Sequence, residues 1–148
     1  MKLFMKTNFI LFIFLFFNNT PAQKHPSWYE NLDKGIEAAR GEGKKILLFF
    51  TGSDWCGWCQ KLNSEVFLQK EFARFADYHV VLVRIDFPKR KYQSDEVKNY
   101  NRKLAEIFDV NGYPTVFLLN KSGKILGRTG YRDGGPEAYI NHLKSFLN

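Results

Sequence analysis

The stretch KILLFFTGSDWCGWCQKL, residues 45–62, contains both cysteines of this 148-residue chain. Its first part, Lys45–Thr51, is a continuous apolar run bounded by glycine and charged residues, which is typical of a strand buried on both faces of a sheet. Cys56 and Cys59 follow at once, where the pattern predicts the start of a helix that continues through Val66. A buried strand, a short loop and a helix are therefore expected to hold the cysteine pair.

Two residues separate Cys56 from Cys59, a spacing found in zinc sites, haem attachment, structural disulfides and redox centres. A structural zinc site takes four Cys or His ligands, but the three histidines include no close pair, and Gln60 replaces the histidine that haem attachment needs. A structural bridge stays the alternative, although such a small loop stabilises a fold least. At a helix start the pair can form a disulfide, and unpaired N–H groups favour a thiolate. We expect Cys56 to attack and Cys59 to resolve, with Ser53 or Asp54 capping the helix.

Helical and strand patterns alternate along the rest of the chain. Predicted helices cover Pro26–Arg40, Lys70–Ala76, Ser94–Phe108 and the residues that follow Pro136, and predicted strands cover Tyr78–Phe87, Thr115–Leu119 and Lys124–Thr129. Trp28 is expected on the inner face of the first helix, and Val97 and Ile107 on that of the helix Ser94–Phe108. This order predicts parallel βαβ units followed by an antiparallel hairpin. The predicted fold class is α/β, a mixed central sheet with helices on both faces.

The N-terminus has the pattern of a secretory signal peptide. Two lysines precede the apolar run Phe9–Phe17, and Thr20 and Ala22 are spaced like the small residues of a cleavage site. Nine apolar residues are too few for a membrane-spanning helix, which takes roughly 20. We predict a signal peptide over residues 1–22 and one domain over residues 23–148, exported to a periplasm or an extracellular space where disulfides persist. An uncleaved anchor or a buried N-terminal helix is the alternative.

Net charge does not select a binding partner. The chain carries +7, and removal of the signal peptide takes away two lysines and no acidic residue, which leaves +5. The remaining basic residues are scattered except for Lys89–Lys91, where a solvated loop is a simpler interpretation than a nucleic-acid or membrane patch. We therefore expect no nucleic-acid partner, and contact with the membrane only through the signal peptide.

The motifs together resemble those of the thioredoxin superfamily. The sequence DWCGWCQKL after a buried strand, and GYPT at residues 112–115 before another strand, resemble exported bacterial thioredoxin-like proteins more than cytosolic thioredoxin. The resemblance covers roughly Trp28 to Leu147 and implies a thioredoxin fold. It also implies that Trp55 shields the active-site surface, and that Pro114 follows a cis peptide bond and lies against the cysteines. Tyr113 would offer backbone groups to an extended substrate peptide.

Two departures from thioredoxin concern the cysteine environment. Gly57 and Trp58 replace Gly-Pro between the cysteines, which alters the reduction potential. Trp58 either packs on the helix start or joins Trp55 and Tyr113 in an exposed aromatic surface, and we favour the second. Phe50 replaces the buried Asp that lies six residues before the first cysteine in thioredoxin. Water or another carboxylate must then accept the proton; Asp54 and Glu65 are candidates, although capping or solvation explains each more simply.

We therefore predict an exported thiol–disulfide oxidoreductase that exchanges disulfides with protein substrates, with the direction of electron flow open. Cys56 and Cys59 are the expected catalytic residues. Substrate-binding or supporting roles are expected for Trp55, Gly57, Trp58, Tyr113 and Pro114. No metal, nucleotide or flavin is expected beyond the redox-active Cys56–Cys59 disulfide, and a second redox protein would supply or remove electrons. The alternative is a non-catalytic peptide-binding module with an inert disulfide.

Overall fold

The fold is built around a five-stranded mixed sheet, and the computed structural model describes residues 26–147. In chain order the elements are β1 (Trp28–Tyr29), α1 (Leu32–Glu42), β2 (Lys45–Thr51), α2 (Gly57–Leu62), a π-helical turn (Asn63–Phe67), α3 (Lys70–His79), β3 (Val80–Asp86), α4 (Asp95–Ile107), β4 (Thr115–Leu119), β5 (Ile125–Thr129) and α5 (Gly135–Lys144). The predicted signal peptide, residues 1–22, lies outside the described residues.

The strands lie in the order β1-β3-β2-β4-β5. Both β1 and β2 run parallel to β3, whereas β4 is antiparallel to β2 and to β5. The crossover through α2 and α3 makes β2 and β3 parallel neighbours, and the short turn after β4 makes the terminal hairpin. The predicted class, a mixed α/β sheet with parallel units and a C-terminal hairpin, is confirmed.

The central strand β2 separates two layers of apolar core. Successive side chains of a strand point to opposite faces, so Leu47 and Phe49 pack in one layer while Ile46, Leu48 and Phe50 pack in the other. The first layer includes residues of α2, α3 and α5, and the second includes residues of α1 and α4. Helices therefore cover both faces of the sheet, and the cysteines belong to the first layer.

The prediction of a helix from residue 26 was wrong at its start. Trp28 lies in β1, where it is paired with Leu82 of β3, and its ring packs against Phe49 and Phe67. The helix α1 begins only after Asn31, whose side-chain oxygen accepts the Lys34 N–H at 3.0 Å and so caps the first turn. A two-residue edge strand has too few residues to show an alternating pattern.

The predicted inner face of α4 was also partly wrong. Val97 and Ile107 are exposed, whereas Leu104 and the polar residue Asn101 are buried. Asn101 is tolerated there because its Nδ2 donates a hydrogen bond of 2.8 Å to the backbone carbonyl of Asp86. This bond fixes α4 against the end of β3, next to the loop that carries the cysteines.

One turn of the cysteine-bearing helix is wider than the rest. The Leu68 N–H donates to the Asn63 carbonyl, five residues back, at 2.9 Å. Such a π-helical turn inserts one extra residue into an α-helical path. Val66 and Phe67 are neighbours in sequence, and both are buried in the first core layer.

Candidate active site

The cysteine pair lies where the chain leaves β2 and enters α2. Cys56 is the N-cap of α2, and its Sγ accepts the Cys59 N–H at 3.2 Å. The two residues are joined by a disulfide, and their Cα atoms are 5.2 Å apart, within the range that a disulfide requires. The expectation that Ser53 or Asp54 caps this helix was wrong, because the sulfur itself occupies that position.

The two sulfur-bearing side chains differ in their access to solvent. Cys56 keeps 7% of its surface exposed, whereas Cys59 keeps 1%. Both cysteines are largely buried, but the Cys56 side of the disulfide is the more accessible one, while Cys59 is almost fully enclosed. The arrangement provides one approachable sulfur and one sheltered sulfur behind it.

Ser53 and Asp54 connect the cysteine loop to the end of β3 and to the loop after it. The Ser53 N–H and hydroxyl donate to the Asp86 carboxylate at 2.9 and 2.6 Å. The Asp54 carboxylate accepts the N–H groups of Lys89, Arg90 and Lys91 at 2.8–3.0 Å. These bonds, chiefly that from Lys89, lower the pKa of Asp54. Asp54 therefore anchors the basic loop and is a poor proton acceptor.

Several contacts hold the Trp55 side chain in place next to the cysteine pair. Its indole N–H donates to the Phe87 carbonyl at 2.7 Å, and its ring meets that of Tyr113 edge-on at 5.9 Å. The Lys89 ammonium lies 4.0 Å from the Trp55 ring centre. Gly52 permits this placement, because a Cβ there would lie only 2.4 Å from a ring atom. Trp55 is still 38% exposed and so forms part of the surface.

Trp58, the second residue between the cysteines, is 58% exposed. Its ring contacts Tyr131 at a centroid distance of 5.1 Å, and the Lys61 ammonium lies within 5.2 Å of both rings. The Tyr131 hydroxyl donates to Glu65 at 2.7 Å, and this bond raises the tyrosine pKa. Trp58 is thus exposed as expected, but its aromatic neighbour is Tyr131 and not Trp55 or Tyr113. Glu65 is held by Tyr131 and lies near Lys61.

The loop before β4 supplies the remaining predicted residues. The Tyr113–Pro114 peptide bond is cis, as the resemblance implied. The Tyr113 ring stacks near Phe87 at 5.2 Å as well as against Trp55, and burial raises the pKa of its hydroxyl. Gly57 is exposed, and an added Cβ there would meet no atom within 4 Å. Space is therefore open directly beside the disulfide.

Phe50 faces away from the cysteines. Its ring packs with Phe108 and Phe117 in the second core layer. On the cysteine side of β2 the neighbouring positions are Phe49 and Thr51, and Thr51 shares the lining of a small cavity with Cys59. No carboxylate of β2 therefore lies beneath the disulfide.

Several neighbours of the site gave no local signal in the sequence. Tyr131 lies 73 positions beyond Trp58, in the segment between β5 and α5, and only the folding of the chain brings the two rings together. The basic run Lys89–Lys91 was interpreted as a solvated loop, yet its backbone surrounds the Asp54 carboxylate. The position of Asp54, an acidic residue directly before Trp55 and Cys56, was the sequence feature that hinted at a contact with this basic loop.

Two further findings apply to the part of the chain that the structure describes. No three Cys, His, Asp or Glu side chains between residues 26 and 147 are grouped as a metal-binding set. Among the helices of the same residues, none combines the length and the apolar character needed to cross a membrane.

A disulfide at a helix start on this sheet, together with a cis-proline directly before β4, is typical of the class of thioredoxin-fold thiol–disulfide oxidoreductases. The chain belongs to the thioredoxin-like family, since the family model described as a thioredoxin-like domain matches residues 32–146. The fold, the cysteine pair and the relatives below agree, and the activity of this chain is thiol–disulfide exchange.

The similar proteins carry related descriptions. The disulfide bond reductase DsbH of Chlamydia pneumoniae is 37% identical over 119 residues, which cover 80% of this chain and 72% of that protein. A solved structure of a DsbH oxidoreductase has a TM-score of 0.78 and 35% identity, and covers 86% of this chain and 88% of its own. The thioredoxin-related protein DsbJ of Chlamydia pneumoniae is 26% identical over 103 residues, 70% of this chain but 30% of DsbJ.

Proposed function

We propose that this protein is an exported reductase that transfers electrons to the disulfides of other proteins. The direction is supported by the 37% identity to a protein described as a disulfide bond reductase, of which the chain covers most of the length. Export is supported by the charged, apolar and small-residue segments of residues 1–22. The domain at work would then be residues 23–148, in a periplasm or outside the cell.

The observation that carries the exchange activity, as distinct from its direction, is the environment of the Cys56 sulfur. This sulfur caps a helix and accepts the Cys59 N–H at 3.2 Å, and Cys56 is the more exposed of the two cysteines. Donated N–H groups stabilise a thiolate relative to a thiol, and the thiolate is the species that attacks a disulfide. We infer that Cys56 is the nucleophile of the reduced protein and Cys59 the resolving thiol.

The reaction consists of two exchanges. The Cys56 thiolate attacks one sulfur of a substrate disulfide, forms a mixed disulfide and releases the other substrate sulfur as a thiolate. The Cys59 thiolate then attacks the Cys56 sulfur, which re-forms the Cys56–Cys59 disulfide and releases the second substrate thiolate. Two electrons pass to the substrate, and its two thiolates take up two protons. No cofactor beyond the disulfide takes part, and the dithiol of another redox protein restores the reduced state.

The substrate approaches over the aromatic rim of the site. Trp55 and Tyr113 form one side of this rim, and Trp58 with Tyr131 forms the other. The open space at Gly57 leaves room for an incoming chain, and the backbone around Pro114 offers hydrogen-bonding groups to an extended peptide. These residues bind and orient the substrate, whereas the two cysteines carry the chemistry.

Equilibration of the cysteine pair against a glutathione redox buffer tests the direction. A reductase is expected to have a potential nearer to the −270 mV of thioredoxin than to the −120 mV of the oxidant DsbA, both approximate. A potential near that of DsbA would overturn the reductase proposal and leave an exchange catalyst that works in the oxidising direction. Mass spectrometry of the exported protein, expected to begin at or near Gln23, tests the signal peptide.

Single-cysteine variants test the division of roles. Cys59→Ser should accumulate covalent complexes with partner proteins, because its mixed disulfide has no resolving thiol. Cys56→Ser should trap far fewer, since its remaining thiol is 1% exposed in the folded protein. Non-reducing gels of exported extracts compare the two, and equal trapping would contradict the assigned roles.

A further inference from the structure

The Cys59 thiol must lose a proton before it can resolve a mixed disulfide, yet among residues 26–147 the cavity that Cys59 lines contains no carboxylate or histidine. Cys59 is 1% exposed, and the neighbouring β2 side chains on its side of the sheet are Phe49 and Thr51. Asp54 and Glu65 are bound elsewhere, the first by backbone N–H groups and the second by Tyr131. A proton from Cys59 therefore has to travel.

A small polar cavity provides the first part of a path. It has a volume of about 120 Å³, and its lining includes Cys59, Thr51, Ser53, Asn63 and Arg84. A cavity holds a water molecule when it offers polar partners and roughly 10–15 Å³ to the centre of the molecule, so this one has room for several. Water can then bridge from the Cys59 thiol to the hydroxyl of Ser53.

The second part of the path leads from Ser53 to a larger cavity near the surface. This cavity has a volume of about 370 Å³, and Ser53 and Arg84 line it as well as the first cavity. Its lining also includes Asp86, whose carboxylate accepts the Ser53 hydroxyl at 2.6 Å. A hydroxyl donates one hydrogen bond and accepts others, so Ser53 can pass a proton from water on its inner side to Asp86.

We propose that Asp86, acting through the Ser53 hydroxyl and water in the small cavity, accepts the proton of Cys59 in the resolving step. The inference rests on the proposed function. The Cys59 S–H bond breaks and the proton moves to Asp86, the Cys59 thiolate forms a bond to Cys56 Sγ, and the bond from Cys56 to the substrate sulfur breaks. The released substrate thiolate takes up a proton from solvent, and Asp86 returns its proton to solvent.

Three charged side chains lie along the path that ends at Asp86. Arg84 lines both cavities, and its buried Nε has no hydrogen-bond partner within residues 26–147, while its terminal nitrogen donates to Glu30 at 3.1 Å. The positive charge of Arg84 favours a thiolate at Cys59. Lys91 lies at the outer end, with its ammonium 3.5 Å from the Ser53 hydroxyl. Arg84 and Lys91 are thus two cations close to Ser53 and Asp86, and Glu30 balances Arg84 at the surface.

Stopped-flow reaction of the reduced protein with dithiobis-nitrobenzoate separates the two exchanges. The attack of Cys56 releases one coloured thiolate at a rate that depends on reagent concentration, and resolution by Cys59 releases a second at a rate that does not. General base catalysis typically contributes 10²–10⁴-fold, so Asp86→Asn and Ser53→Ala should each slow the second phase at least about tenfold at pH 7. Both variants should shift the pH midpoint of this phase upward and leave the first phase within about twofold.

Matched variants separate a proton path from a purely structural role. Ser53→Thr keeps a hydroxyl and should keep the second-phase rate, and Asp77→Asn, on the exposed side of α3, should change neither phase. Ser53→Ala retains the backbone N–H bond of residue 53 to Asp86, so it decides the question if Asp86→Asn does not fold. An unchanged second phase in Ser53→Ala would overturn the proposal. Absence of the first phase in the unaltered protein would instead count against the proposed function.

Discussion

The two tryptophans that border the disulfide are close in sequence but are held in different ways. The Trp55 N–H donates to the Phe87 carbonyl, and the Lys89 ammonium lies over the face of the ring. The ring also contacts Tyr113 edge-on and packs closely over Gly52. Trp58 is more exposed and touches Tyr131, with Lys61 close to both rings. Trp55 is part of the framework of the site, whereas Trp58 is free to adjust.

This difference indicates how the site combines rigidity with tolerance. Trp55 joins the cysteine loop to the segment after β3, so it helps to fix the position of the neighbouring Cys56. Trp58 offers an exposed ring beside the disulfide without a hydrogen bond that restrains its N–H within the described residues. Proteins differ in the residues around their disulfides. An adjustable aromatic surface at Trp58 can accommodate such differences, while the anchored Trp55 keeps the neighbouring cysteine loop in place.

Alanine substitutions at Gly52 and Gly57 give the largest expected contrast. A Cβ at residue 52 would lie 2.4–2.7 Å from the Trp55 ring, and the anchored ring cannot withdraw without breaking its bond to Phe87. Such overpacking should cost roughly 1–3 kcal/mol. A Cβ at residue 57 meets no atom within 4 Å, so Gly57→Ala should change stability by no more than about 0.5 kcal/mol. Urea unfolding measures both, and equal losses would contradict the anchored position of Trp55.

Phenylalanine substitutions sharpen the comparison at the rings themselves. Trp55→Phe keeps an aromatic ring but loses the N–H bond of 2.7 Å to the Phe87 carbonyl, which should cost about 1 kcal/mol. Trp58→Phe removes no such bond and should cost less than about 0.5 kcal/mol. The unfolding free energies of the two variants provide the measurement. A larger loss at residue 58 would reverse the assignment of framework and adjustable sides.

The pH dependence of stability tests the anchoring of the basic loop by Asp54. Because N–H bonds, chiefly from Lys89, lower the folded pKa of Asp54, the ionised carboxylate stabilises the fold above the ordinary Asp value of about 3.9. That contribution is lost as the pH falls through the folded pKa. The protein should therefore unfold at higher urea concentration than Asp54→Asn at pH 7, and the difference should shrink as the pH falls below the ordinary Asp value. A gap that persists in acid would assign the effect to the shape of the side chain and not to its charge.

The smallest expected effect concerns the two lysines. The Lys89 ammonium is 4.0 Å from the Trp55 ring centre, and that of Lys61 is 5.2 Å from the Trp58 ring centre. Cation–π contacts at exposed sites contribute about 0.5–1 kcal/mol, so Lys89→Met should lower stability by about 0.5 kcal/mol and Lys61→Met by less. Tryptophan fluorescence of the folded variants should change more for Lys89→Met. A larger change for Lys61→Met would place the stronger contact on the Trp58 side.

The sequence was informative where its signal is local. Lys45–Thr51 and Thr115–Leu119 were predicted as strands with the observed bounds, because each is a short apolar run ended by a glycine or a polar residue. The mixed sheet followed from the order of such segments. The edge strand Trp28–Tyr29 was missed, since two residues carry no periodicity and their position depends on pairing with β3.

The surroundings of the cysteines depended on contacts between distant segments and were predicted less well. The cysteine motif predicted that Cys56 and Cys59 form a pair, but not that Asp86 accepts a hydrogen bond from the Ser53 hydroxyl or that Tyr131 lies against Trp58. The exposed Val97 and Ile107 show the same limit within one helix. An apolar residue at helical spacing is buried only if a neighbouring element covers it, and here Asn101 is covered instead because it bonds to β3.

The wide turn at Asn63–Phe67 sets the angular relation between the two halves of the cysteine-bearing helix. Each residue of an α-helix advances about 100° around the axis, so one inserted residue turns everything beyond it by about that amount. Val66 and Phe67 can therefore both pack into the core, and their packing does not fix the direction in which Cys56 and Cys59 project from the helix axis. The half of the helix that carries the cysteines and the half that packs into the core thus keep separate orientations along one continuous backbone.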